Sequence, residues 1–172
     1  LKKKYKRIDA LINNAAMVSK NMKKNKFSSD EWRRCLSVNL TSVFQISIGL
    51  QNLLIKSSDP SIVNISSIYG VVAPDLKIYN KKDNLNSEIY GATKAAVIQI
   101  TKYYACALAK NNIIINSISP GGIKNKNHSK NFIKKYKKKV PMGRFGKENE
   151  LFGALIYFSS EGSSYTTGQN LI

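Results

Sequence analysis

No uninterrupted apolar run in this chain of 172 residues approaches the roughly 18 that a membrane span requires. The basic start from Leu1 to Arg7 is not followed by the apolar core of a signal peptide. Cysteine is scarce: Cys35 and Cys106 are the only two, without metal-ligand spacing and inside segments of helical pattern. That excludes a cysteine metal site and reads as buried free thiols in a reducing cytoplasm. The single histidine, His128, reads as an exposed loop residue rather than a base, and no metal is expected. Acids are few, 10 Asp and Glu against 28 Lys and Arg, which leaves a net charge of +18. Such an excess invites a nucleic-acid reading. The lysines, however, are spread among Asn and Ile without the aromatic interleaving or arginine clusters that grip nucleic acid, so neither nucleic acid nor membrane is an expected partner.

What is present is a periodic pattern sufficient for one domain with a real core. Ile8 to Ile12 reads as a strand ending in the turn Asn13-Asn14-Ala15-Ala16. Residues 17 to 27 read as a loop. Ser28 and Glu31 are spaced as a capping box, and the apolar residues from Trp32 through Leu54 follow helical periodicity. Ile62 to Ile65 is a second strand, closed by Ser66-Ser67, and residues 71 to 86 hold a long polar loop. A helix carries Tyr90 to about Lys110, with a smooth face near Ala95 and Ala105 suited to helix packing. Ile113 to Ile118 is a third strand, closed by Pro120-Gly121-Gly122. A basic helix near 129 to 139, a helix from Glu148 to Ser160 and a strand near Asn170 complete the chain. Strands alternating with helices imply an α/β fold: half of a doubly wound, Rossmann-type parallel sheet with helices on both faces, over a single domain spanning 1 to 172. Ligands in such sheets bind at the carboxyl ends of the strands, where Asn13-Asn14, Ser66-Ser67 and Pro120-Gly121 fall.

The most informative pair is Tyr90 and Lys94. Four residues apart on a helix, they share one face. An ammonium near a phenol favours the phenolate, so the Tyr90 pKa is expected to fall from about 10. A phenol so tuned exchanges protons with a carbonyl or an alcohol near neutral pH.

Taken in order, these segments resemble the short-chain dehydrogenase/reductase superfamily. Asn13-Asn14-Ala15-Ala16 is similar to its Asn-Asn-Ala-Gly turn, Val38-Asn39-Leu40 to its helix asparagine, and Asn64 to Gly70 to its serine motif. Tyr90-x-x-x-Lys94 follows, then Asn116 to Ile123 as a strand exit, and Pro141 to Gly146 with Ser163 to Gln169 as a closing segment. The resemblance implies an NAD(P)-dependent oxidoreductase interconverting a carbonyl and a secondary alcohol. Tyr90 would be the acid/base, Lys94 would lower its pKa and bond the nicotinamide ribose, Ser67 (rather than Ser66) would hold the substrate oxygen, and Asn39 would position a water. Asn13, Asn14 and Ala15 would flank the adenosine side of NAD or NADP, and Pro120, Gly121 and Ile123 the nicotinamide. Homo-oligomers are common in the family.

Several features depart from the family pattern. Ala16 stands where glycine is usual, and Ile123-Lys124-Asn125 lacks a threonine for the carboxamide. Ser67 and Tyr90 are 23 residues apart (90 − 67), an interval lengthened by Pro74 to Tyr79, which would lie beside the active site. This insertion resembles a bacterial subgroup linked to flagellin modification and unusual sugar biosynthesis. Lys134 to Lys139 falls where the family places its substrate lid and would either attract an anionic sugar derivative or form a solvated helix face. No Gly-x-x-x-Gly-x-Gly phosphate loop occurs. The chain begins at Leu1 and ends at Ile172 as though cut at both ends, so the first strands and the residues that choose between NAD and NADP are expected to lie before it. On that expectation the 172 residues alone would be poorly soluble and inactive. The alternative is a non-catalytic remnant of such an enzyme.

Overall fold

The computed structural model describes residues 4–18, 28–79, 87–126 and 128–172. The loops expected at 17 to 27 and 71 to 86 lie partly outside these residues. Four strands, β1 (Ala10–Asn13), β2 (Ser61–Ile65), β3 (Ile114–Ile118) and β4 (Asn170–Leu171), form one sheet in the order β1-β2-β3-β4. All three pairings are parallel. Helices α1 (Ser29–Leu36), α2 (Ser42–Gly49) and α3 (Gln51–Leu54) connect β1 to β2, and α4 (Glu88–Leu108) connects β2 to β3. Helices α5 (Lys130–Lys137) and α6 (Phe152–Phe158) lead to β4. The expected α/β fold is present.

Alternation along β2 separates two cores. Ile62 packs with Ile115 and with Tyr104, Ala105 and Leu108 of α4. Its neighbour Val63 packs with Ile118 and with Phe158 of α6, so helices cover both faces. Among the described residues β1 pairs with β2 alone, and Ile12 is 46% exposed. Ser28 caps α1 as the spacing predicts, its Oγ accepting from the Glu31 amide at 3.3 Å. Among the described residues no helix is long and apolar enough to cross a membrane.

Two expectations of surface and interior are corrected. Cys35 is buried, but Cys106 is exposed on α4. Ala105 is buried in the α4 core whereas Ala95 faces outward. Ten residues are not a whole number of helical turns, so the two do not share a face.

Candidate active site

Ser67, Tyr90, Gly121 and Ile123 line one cavity of about 320 Å³ at the carboxyl ends of β2 and β3. Its floor is fixed by unusually close backbone packing. Beyond β2 the chain turns through a short 3-10 segment, Ile68–Gly70, which Ser67 caps by accepting from the Tyr69 amide at 3.2 Å. A Cβ on Gly70 would lie 2.7 Å from the Lys94 carbonyl carbon, and one on Gly91 would lie 2.9 Å from the Tyr69 carbonyl oxygen. Two glycines thus let the serine turn lie flat against the first turns of α4. Ser66 locks the same junction, its buried Oγ donating to the Lys94 carbonyl at 2.7 Å. Ser66 is therefore a brace, and Ser67 is the serine that lines the cavity together with Tyr90.

Lys94 is only 2% exposed. Its Nζ donates to the Ile65 carbonyl at 2.6 Å and lies 5.8 Å from the Tyr90 ring centroid. Burial holds the Lys94 pKa down, from 10.5 to about 8. Burial also raises the Tyr90 pKa, a rise opposed by its hydrogen bond with Ser67. The expected fall of the phenol pKa is thus reversed. The shared helix face brings the two side chains together, but the ammonium is aimed at a backbone carbonyl, and low polarizability around both groups penalises both charged forms.

Asn39 sits in a π-helical turn, Ser37–Thr41, where the Ser42 amide reaches back to the Ser37 carbonyl across five residues. The turn buries the asparagine to 1% exposure. Its Oδ1 accepts from the Met17 amide at 2.6 Å, and its Nδ2 donates to the Met17 carbonyl at 2.9 Å and to the Thr93 hydroxyl at 3.0 Å. Thr93 Oγ1 in turn donates to the Tyr90 carbonyl at 2.8 Å. Asn39 therefore touches the site through the backbone of the Tyr90 helix and does not line the cavity.

Strand β1 ends beside this group. The Asn13 side chain turns inward, donating to Ser47 Oγ at 3.1 Å and Asn64 Oδ1 at 2.8 Å, and Asn64 continues to Thr101 Oγ1 at 2.9 Å. Asn14 and Ala15 are exposed on the turn that this network anchors. Across the sheet, the Pro120 carbonyl accepts from the Ile68 amide at 2.9 Å. Ile123 pairs with Gly146 in a parallel bridge, so the exit loop is pinned between the serine turn and the closing segment.

The opposite wall carries no motif that the sequence announces. Phe132 of α5 stands with Tyr79 at 5.0 Å, His128 at 5.1 Å and Tyr136 at 5.6 Å between ring centroids. Tyr136 stacks on Phe145 at 4.3 Å and accepts from the Gly122 amide at 2.6 Å. A Cβ on Gly122 would come within 2.5 Å of that hydroxyl, so this glycine is required by the tyrosine. His128 is half-buried in the aromatic wall, not the exposed loop residue expected. The insertion does lie beside the cavity. Tyr79 bonds Tyr69 hydroxyl to hydroxyl at 2.7 Å, Asp75 pairs with Lys139 at 2.9 Å, and Lys135 donates to the Lys77 carbonyl at 3.1 Å. The residues that sequence reasoning missed, Gly70, Gly91, Thr93 and Tyr136, act through long-range contacts. Gly70, Gly91 and Thr93 stand within or beside motif segments, their only local signal, and Tyr136 has none.

The donor set fits a nicotinamide ribose. Lys94 is a buried cation with three donors, one spent on Ile65, and it stands directly behind the phenol. The whole chain, residues 1–172, matches the family model described as enoyl-(acyl carrier protein) reductase. It is 36% identical over 169 residues to a 3-oxoacyl-[acyl-carrier-protein] reductase of Thermotoga maritima, covering 96% of this chain and 64% of that protein. The corresponding reductase of Buchnera aphidicola is 38% identical over 173 residues, covering 98% and 66%. The solved short-chain dehydrogenase of Leptospira borgpetersenii with bound NAD+ aligns with a TM-score of 0.86 and 38% identity, over 95% of this chain and 62% of that one. A gluconate 5-dehydrogenase of Burkholderia cenocepacia in complex with NADP and tartrate gives 0.85 at 28% identity, over 99% and 64%. The chain thus spans 64% and 66% of the length of these two curated relatives.

Proposed function

The chain belongs to the short-chain dehydrogenase/reductase superfamily, and from that membership we propose that it is the catalytic portion of an NAD(P)-dependent oxidoreductase interconverting a carbonyl and a secondary alcohol. The observation that carries the reading is the Tyr90 phenol, sharing with Ser67 the wall of a cavity at the strand ends, with the Lys94 ammonium behind it. When bound, NAD or NADP supplies or accepts the hydride.

The remaining work falls to side chains of this chain. Ser67 donates to the substrate oxygen and fixes it next to Tyr90. With its pKa raised by burial, Tyr90 is a neutral phenol at pH 7, the form that gives a proton to a developing alkoxide. Lys94 offers its two unspent donors towards ribose hydroxyls. Asn39 holds the Tyr90 turn through Thr93. Asn14 and Ala15, on the turn that Asn13 anchors, flank the adenosine side, and Pro120, Gly121 and Ile123 flank the nicotinamide side. An anionic sugar derivative would leave its charge at the rim, near the exposed lysines of α5. The exposed Phe44, Ile46 and Tyr103, at 43%, 43% and 66%, support assembly into a homo-oligomer, and the two free thiols support a cytoplasmic location.

The test is Tyr90→Phe in the protein expressed from its own gene. Turnover should fall by about 1,000-fold, while calorimetric affinity for the cofactor stays within a factor of about three. Near-normal activity in the variant overturns the assignment.

A further inference from the structure

The cavity in front of Tyr90 has walls of an unusual kind for so basic a protein. Tyr69, Tyr79, Phe132, Tyr136, Phe145 and His128 surround it, and among the described residues no Asp, Glu, Lys or Arg lines it. The charge is close by but turned away. Helix α5 and its capping residue present Ser129, Phe132 and Tyr136 to the cavity, spaced as one helical face. Its lysines occupy the other faces, with Lys135 bound to the Lys77 carbonyl. Just beyond the helix, Lys139 is paired with Asp75. The insertion therefore engages two cations in its own contacts and contributes Tyr79, whose ring lies tilted by 38° against Phe132 at 5.0 Å. The lysine patch and the chamber are separate devices.

Resting on the reading of Tyr90 and Ser67 as the carbonyl site, we infer that this chamber selects uncharged carbonyl compounds carrying a flat ring or short apolar group next to the reacting carbon, and rejects those whose charge would enter it. A carboxylate moved into these walls gives up water and finds no lysine or arginine side chain lining them to pair with. A ring gains ring-face and ring-edge contacts on several sides. The size agrees: a cavity of roughly 150 Å³ accommodates benzene, so about 320 Å³ holds a substrate ring beside the nicotinamide edge that Gly121 and Ile123 flank. Tyr79 is the specificity-determining residue that the insertion adds.

The experiment uses two ketones of one skeleton, methyl 4-acetylbenzoate and 4-acetylbenzoate, with the protein expressed from its own gene. The ester should be reduced with a kcat/KM at least about 100-fold above that of the acid. Equal rates, or preference for the acid, overturn the inference while leaving the oxidoreductase reading intact. Asn125→Lys, at an exposed position on the cavity rim, should restore the acid at least about tenfold through its KM; no gain counts against a charge-selective wall. Tyr79→Ala should raise the KM for the ester about tenfold with kcat little changed, and a loss confined to kcat removes Tyr79 from the specificity role. Saturation-transfer NMR with the same ketones needs no turnover. Binding of the ester alone, with neither ketone reduced, sustains the chamber and sinks the oxidoreductase reading.

Discussion

Around Lys94 the contacts are directional and short: Ser66 to its carbonyl at 2.7 Å, its own Nζ to Ile65 at 2.6 Å, and two glycines pressed against backbone. Around Phe132 they are ring against ring, with centroids 5.0 to 6.1 Å apart, closed by an exposed ion pair and a tyrosine hydroxyl. The first kind of contact fixes an atom in direction as well as position, which proton transfer requires. The second fixes a shape and tolerates adjustment, which substrate selection requires. One region sets what reaction can occur, the other which molecule undergoes it, and they meet only at the cavity.

The sharpest way to break that division is Lys94→Met. Turnover should fall on the order of 1,000-fold, yet the protein should become more stable. The folded-state pKa of Lys94 is about 8 against 10.5 for the free side chain, so below pH 8 folding carries the cost of burying a charge. Between about pH 8 and 10.5 the unfolded chain binds more protons than the folded one, and the stability of the wild type rises with pH across that window. The variant lacks the penalty. Its advantage should be on the order of 2 kcal/mol at pH 7 and shrink towards pH 10, as measured by urea denaturation at several pH values. A variant less stable than wild type at pH 7 refutes the burial argument.

Gly70→Ala should have the next largest effect. The added methyl would meet the Lys94 carbonyl carbon and oxygen and the Ala95 nitrogen at 2.7 to 2.9 Å, all backbone atoms that cannot rotate aside. A loss of about 2 kcal/mol should accompany a fall in kcat as the Ser67 turn is displaced. An unchanged denaturation midpoint shows that α4 can yield. The smallest effect belongs to the other region. Asp75→Asn removes the half-buried partner of the exposed Lys139, so the melting temperature should not move measurably, while the KM for a ring-bearing ketone rises a few-fold. A drop in kcat with unchanged KM would show the two regions to be mechanically joined.

The sequence patterns that were legible are those with local causes. Strand ends, the Ser28 cap and the Tyr90 to Lys94 spacing each depend on residues within one turn or one strand. The direction of the pKa shifts was not legible, because spacing shows that an ammonium is near a phenol but not that Ile65 captures it or that both are buried. Asn13 looked like a ligand contact in the motif; its side chain bonds Ser47 and Asn64, 34 and 51 residues away. The chamber was hidden for the same reason. Lys77 and Lys135 are 58 residues apart, and no periodicity connects an insertion with a helix so far along the chain. The basic helix reads as a lysine patch until Phe132 and Tyr136 are seen on its inner side.

The π-helical turn at Ser37–Thr41 has a consequence best put in genetic terms. Such a turn is an α-helix holding one residue more than its own geometry accommodates. Deleting a single codon within it would produce a more regular helix and strengthen its hydrogen bonding. Val43 and Ser47 beyond the turn would keep their faces, because the extra residue is absorbed within it, but Asn39 inside the turn would lose the place from which it reaches Met17 and Thr93. The shortest repair of the helix is thus a lesion of the site, and a gene under selection for its active centre has reason to keep the extra residue.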